Sequence, residues 1–209
     1  MSDDARATSA EEHDRMEAGT PIHVVVINGS PRKDGNSTTL AEAVAAGAVA
    51  AGAVALPTVH LEQLRFRGCQ NCGGCDHSGA CVLQDDLAPV YTALMCARFW
   101  VFASPIYFDT ISGQLKLFYD RLFCFTKRKL KQPRTAVFAI AYEAGRNDGY
   151  TTNMGVYQSY LKWFGEFSQS EVIAAANMAR KGDINKCPDL LDAARALGAR
   201  LAAQCAHAR

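Results

Sequence analysis

The chain has 209 residues, 49% of them hydrophobic, with 22 Lys and Arg against 21 Asp and Glu and a formal net charge of +1. That length suits one compact domain, and so small a net charge sets up no field for nucleic acid or a membrane surface, which leaves small, roughly neutral substrates. Apolar runs fall short of the ~18 residues a membrane span needs, and the opening MSDDARATSAEEHDRMEAGTP is too polar for a signal peptide, so the expected compartment is the cytoplasm.

Residues 1–20 hold little apolar content and are expected to form a flexible tail ahead of a single domain at 21–209. IHVVVING at 22–29 is a β-branched run without polar alternation, the pattern of a strand buried on both faces of a parallel sheet. Further strands are predicted at 54–61, broken in its middle by Pro57, and at 99–103, 136–141 and 171–176. Helices are predicted from Ser37 onward and at 85–96, 113–123, 152–164 and 188–207. Strands that alternate with helices give an α/β, doubly wound parallel sheet covered on both faces, whose ligands bind beyond the carboxyl ends of the strands. The loops after strands one, three and four are therefore the places to look for a site.

The first of them, NGSPRKDGNSTT at 28–39, joins glycines that permit a tight turn to hydroxyls, free backbone N–H groups and the positive end of the next helix, the makings of a phosphate cradle. Arg32 can add a charge-assisted bond. A nucleotide P-loop is excluded by spacing: five residues separate Gly29 from Gly35, and Asn36 stands where lysine is needed. GxGxxG is absent. A hydroxyl-rich helix cap that binds nothing is the plainer alternative.

INGSPRKDGNST resembles the phosphate loop of the flavodoxin-like NADPH-dependent FMN reductase superfamily. The resemblance implies a five-stranded sheet in the order 2-1-3-4-5 and bound FMN, with Ser30, Arg32, Asn36, Ser37 and Thr38 on its phosphate. It extends through SPIYFDTISGQLKLFYDR at 104–121, where Pro105, Ile106, Tyr107 and Phe108 would border the flavin ring. A third loop, YEAGRNDG at 142–149, matches by position, which assigns Tyr142, Glu143, Gly145 and Arg146 to the flavin edge. Tyr107 could equally be a core aromatic and the third loop an ordinary polar turn; Phe118 and Tyr119 read as core.

GCQNCGGCDHSGAC at 68–81 sets Cys69, Cys72, Cys75 and Cys81 in a CxxCxxCxxxxxC spacing within a cysteine-rich loop at 68–84. Zinc ribbons use two separated CxxC knuckles, whereas closely spaced thiols on a glycine-rich turn suit a cubane, one thiolate for each iron corner. Zinc, or a turn that carries thiols and no metal, remain the alternatives. With the FMN loops, the spacing resembles the iron–sulfur flavoprotein branch of the superfamily, in which such a loop follows the second strand. That implies a [4Fe-4S] cluster on these four cysteines beside FMN and electron transfer between a reduced donor, ferredoxin or NAD(P)H as co-substrate, and an oxidised acceptor. It also implies a homodimer or homotetramer with FMN near the interface. Two other activities stay open: a cluster-free NAD(P)H-dependent FMN or quinone reductase, and a flavodoxin-like carrier or zinc-stabilised binding module. Cys96, Cys124, Cys187 and Cys205 read as packing residues.

Overall fold

The computed structural model describes residues 21–145 and 148–208. The expected tail at 1–20 and the flavin-edge candidate Arg146 lie outside the described residues. Strand β1 (His23–Asn28) is followed by helix α1 (Asn36–Ala50), two short strands β2 (Val54–Ala55) and β3 (Val59–His60), and helix α2 (Ala88–Cys96). Then come β4 (Phe99–Tyr107), β5 (Thr110–Ile111), helices α3 (Gly113–Arg121) and α4 (Cys124–Lys127), β6 (Leu130–Ala141), α5 (Asp148–Phe164), β7 (Gly165–Ala175) and α6 (Pro188–His207).

The sheet runs β2-β1-β4-β6-β7, all parallel along that path. It holds seven strands where five are expected, for two reasons. The second strand is split at Leu56–Pro57, and both pieces pair with β1, at His23↔Val54 and again at Ile27↔Val59. Proline cannot donate to a ladder, which accounts for the break. The other extra strand is β5, which folds back antiparallel on the end of β4.

Successive side chains of a strand point to opposite faces, and the two cores follow that period of two. Val24, Val26, Phe99, Val101, Ala103, Val137 and Ala139 face α1 and α6. Val25, Ile27, Trp100, Phe102, Phe138 and Ile140 face α2, α3 and α5, where Phe118, Tyr119 and Phe125 add further rings. The small-residue face lets two helices meet at their backbones: a Cβ on Gly47 would strike the carbonyl of Arg195, and one on Gly198 the carbonyl of Val44. The aromatic face needs thicker side chains and has them.

The register Asn28↔Ala103↔Ala139 brings the carboxyl ends of β1, β4 and β6 side by side. The loops beyond them share one edge of the sheet. No helix among the described residues is long and apolar enough to cross a membrane.

Candidate functional site

The loop after β1 is shaped by a residue that sequence reasoning passed over. Asn28 is fully buried, and its Oδ1 accepts from the Ser30 N–H at 2.9 Å and from the Thr38 hydroxyl at 3.1 Å, while its Nδ2 meets His60 Nδ1 at 2.9 Å. This is an Asx turn, and an asparagine directly before Gly-Ser was the signal that could have found it. Ser30 Oγ then accepts from the Arg32 N–H, and the Arg32 carbonyl accepts from the Gly35 N–H and the Thr38 hydroxyl, so the loop closes on itself. The Arg32 side chain stays in solvent.

Helix α1 begins at Gly35 without a side-chain cap. Its first N–H groups consequently face the loop with the positive end of the helix dipole behind them, the arrangement that receives an anion. Ser30, Ser37 and Thr38 are buried beside them. Close packing fixes the approach: a Cβ on Gly29 would lie 2.5 Å from Leu115 Cβ, and one on Gly35 2.6 Å from Ser30 Oγ. The Asn36 side chain has partners of its own. Its amide donates to the Arg180 carbonyl at 2.8 Å and its Oδ1 accepts from the Gly182 N–H at 3.0 Å, tying the loop at 178–184 to the cradle. Its side chain is thereby committed, and the backbone N–H is what it has left for a phosphate.

The segment SPIY is strand rather than loop. Beyond Ala103 no β1 residue pairs with β4, so Pro105 stands at a local edge and its missing N–H costs little. Strand β4 continues to Tyr107 and turns back into β5 through Phe108 and Asp109, whose φ values of 47° and 64° make a two-residue turn of the I′ kind. Phe108 is wholly exposed and Tyr107 half-exposed. Two serines lock this hairpin to the cradle: the Ser112 N–H donates to Ser104 Oγ at 2.9 Å, and Ser112 Oγ donates to the Gly29 carbonyl at 2.6 Å and caps α3 by accepting from the Leu115 N–H. In the third loop the Tyr142 ring is buried and lies edge-on to Tyr150 at 4.6 Å, whereas Glu143 and Gly145 are exposed.

The cysteine loop leaves β3 at this same end of the sheet. Cys69, Cys72, Cys75 and Cys81, none of them in a disulfide, line one pocket of about 210 Å³ together with Arg121, Cys124 and Lys127. Positive φ at Asn71, Gly73 and Gly79 curls the chain around it, and Gly79 presses so close to Arg128 that a side chain would not fit. Among the described residues no three His, Cys, Asp or Glu side chains gather closely enough to hold a single metal ion. The four cysteines share the lining of one pocket.

Arg121 anchors the loop from α3. Its guanidinium donates to the Arg67 carbonyl at 2.7 Å and to both oxygens of Asp85 at 2.6 and 3.2 Å. Burial works to raise the Asp85 pKa, and the hydrogen bonds from Arg121 and the Leu87 N–H more than reverse it, holding the carboxyl below its ordinary value. Cys124, expected only to pack, is buried at the pocket wall, and burial pushes its thiol up to about 12. Lys127 pairs with Asp76 at 2.8 Å on the rim. By contrast Lys116 and Asp120 make only an exposed helical pair.

A flavodoxin-like sheet with an anion-receiving loop after its first strand defines a class, and sequence comparison agrees. The chain belongs to the NADPH-dependent FMN reductase family, whose model matches residues 22–179, and this places it among flavin-dependent oxidoreductases that bind FMN. It is 33% identical to an iron-sulfur flavoprotein of Methanocaldococcus jannaschii over 137 residues, 64% of this chain and 68% of that one. An iron-sulfur flavoprotein of Archaeoglobus fulgidus is 31% identical over 107 residues, 51% of this chain and 48% of its own, so the chain spans about half the length of that relative. Among solved structures, NAD(P)H:quinone oxidoreductase from Methanothermobacter marburgensis superposes with a TM-score of 0.67 at 18% identity, over 87% of this chain and 100% of that one, a likeness of fold.

Proposed function

We propose that this protein is an oxidoreductase of iron–sulfur flavoprotein type, in which FMN and a [4Fe-4S] cluster pass electrons between a reduced donor, ferredoxin or NAD(P)H, and an oxidised acceptor. The observation that carries the reading is the pocket itself: four unpaired cysteines around one space, at the end of the sheet where the anion-receiving loop lies. The donor set is all thiol, the chemistry that iron–sulfur clusters require. The cradle suits the other group equally well, since its glycines admit a ligand close to the backbone and its helix is uncapped.

Bound FMN supplies exchange between two-electron and one-electron transfer, and a bound cubane supplies one-electron transfer. The residues of the chain hold and orient. Ser30, Ser37, Thr38 and the first N–H groups of α1, that of Asn36 among them, receive the phosphate, with the exposed Arg32 side chain joining it from solvent. The hairpin of Pro105, Ile106, Tyr107 and Phe108 forms one wall for the flavin ring, and Tyr142, Glu143 and Gly145 form its polar edge. Cys69, Cys72, Cys75 and Cys81 ligate the cluster. No acid, base or nucleophile is needed, and the working protein is a cytoplasmic homo-oligomer with FMN near its interface.

A cluster-free NAD(P)H-dependent FMN or quinone reductase is the second reading, favoured by the family match. Anaerobic purification with iron, sulfide and flavin analysis separates the two. About four irons per chain and a broad absorption near ~400 nm are expected, as a thiolate-bound cubane demands. Yellow, iron-free protein would leave the second reading standing. Cys72→Ala is expected to lose iron and retain FMN, and full iron in that variant would refute the ligand assignment.

A further inference from the structure

Arg121 is the most deeply buried charge at the cysteine pocket, with a relative exposure of 1%. Two of its nitrogens are accounted for: Nη1 and Nη2 hold Asp85 and the Arg67 carbonyl. Its Nε–H is buried with no hydrogen-bond partner. A buried donor left unpaired costs of order 1–3 kcal/mol, more for a charged group, so such an atom at the wall of a pocket asks for a ligand. The surroundings narrow the chemistry of that ligand. Arg121 and the four cysteines line the same space, and the neighbouring Cys124 thiol donates to the Arg121 carbonyl at 3.4 Å. Five cysteines line that space, which makes sulfur the commonest acceptor among its lining side chains.

Asp85 and the Arg67 carbonyl take the two Nη groups in a forked geometry that lysine cannot reproduce, and beyond that pairing arginine keeps a third, rigidly placed N–H. We propose that Arg121 is a positioning residue for the metal centre: its Nε–H is held ready for a cluster sulfur, and its buried charge favours the reduced, more anionic form of that centre. This rests on the reading of the pocket as a cluster site. Hydrogen bonds to sulfur and net charge are among the features that set cluster potentials, and a charge out of water acts more strongly than one on the surface. Lys127 on the rim, paired with Asp76 and partly in solvent, is accordingly the weaker influence.

One other group competes for the same atom. The Tyr91 hydroxyl is buried and also lacks a partner, and its ring lies 6.0 Å from the guanidinium carbon of Arg121. A rotation of that hydroxyl could satisfy Nε in place of sulfur, and the experiment has to tell the two apart.

The wild-type protein is reconstituted with ferrous iron, sulfide and FMN, and its iron content is measured. A wild type that takes up no iron removes the cluster reading and this inference with it. With iron present, protein labelled with 15N-arginine is reduced by dithionite and studied by pulsed electron paramagnetic resonance, which reads an arginine nitrogen coupled to the cluster without any substitution. The midpoint potential is then titrated for the wild type, Arg121→Lys, Arg121→Gln, Lys127→Gln and Tyr91→Phe, with iron and FMN content confirming that each is folded. A resolved nitrogen coupling is expected, retained in Tyr91→Phe and lost in Arg121→Lys. The potential is expected to move negative in Arg121→Lys and further in Arg121→Gln, with a smaller move in Lys127→Gln. Absence of the coupling from the iron-loaded wild type, its disappearance in Tyr91→Phe, or an unchanged potential in iron-replete Arg121→Gln would each overturn the proposal while leaving the cluster reading intact.

Discussion

Phe108 combines two costs in one residue. A bulky side chain at φ 47° is disfavoured by roughly 1–3 kcal/mol, and its ring, wholly exposed, recovers nothing through burial in the single chain. Asparagine accepts that backbone at much lower cost, so Phe108→Asn is expected to raise the stability of flavin-free protein by about 1 kcal/mol in thermal unfolding. The same substitution is expected to weaken FMN binding severalfold in a fluorescence titration. A variant that gains stability and binds FMN like the wild type would remove Phe108 from the flavin wall. Asp85 gives a second test at this scale. Its pKa is lowered in the folded chain, so its pairing with Arg121 adds stability fully at pH values above the ordinary carboxylate value of 3.8. That contribution is lost as pH falls below this value toward the lowered one. Urea unfolding of Asp85→Asn and wild type at stepped pH should show a gap that is constant from neutral pH to about 5 and closes only in strong acid.

At the scale of elements, the contact between α1 and α6 is set by two glycines. A methyl at Gly198 would meet the Val44 carbonyl and stand 3.1 Å from the Ala48 nitrogen, atoms of helix backbone that cannot turn aside. Overpacking costs about 1–3 kcal/mol and the better helix propensity of alanine returns at most about 1. Gly198→Ala is therefore expected to lose of order 2 kcal/mol in thermal unfolding, and a neutral result would mean the helices can slide apart. The effect would reach the loop after β1, which α1 carries at its other end. Elements also show what could be read in advance. The run Val24–Ile27, the hydroxyls at 37–39 and the periodic helices were legible because each is a local pattern. The hairpin at 104–111 was not, because the tolerance of Pro105 depends on where β1 stops, a fact about the neighbouring strand. The split of the second strand was half legible, in Pro57.

Across the whole molecule, the residue types around the site were legible and their long-range pairings were not. The Asn36 side chain also ties down the loop at 178–184, a pairing with partners some 140 residues away in sequence. Asn28, Ser104, Ser112 and Arg121 acquire their functions through the same kind of distant pairing. Cys124 looked like any apolar thiol until the fold carried the cysteine loop onto it. The two faces of the sheet differ for a related reason. Alanines and glycines draw α1 and α6 close on one side, while rings fill the space beneath α2, α3 and α5 on the other, and the cysteine pocket opens from the aromatic side.

That aromatic side gives the pocket an optical signature. Trp100 is fully buried there, with its indole N–H donated to the carbonyls of Leu94 and Ala97 and its ring 6.3 Å from Phe125, the residue next to Cys124. Trp163, at 56% exposure, looks into water. Emission from the two should separate by colour, blue from the first and red from the second, and a soluble quencher should remove only the red. Loading flavin-free protein with iron and sulfide is then expected to darken the blue component more than the red, as the new absorbing centre takes up the excitation of the indole packed against Phe125.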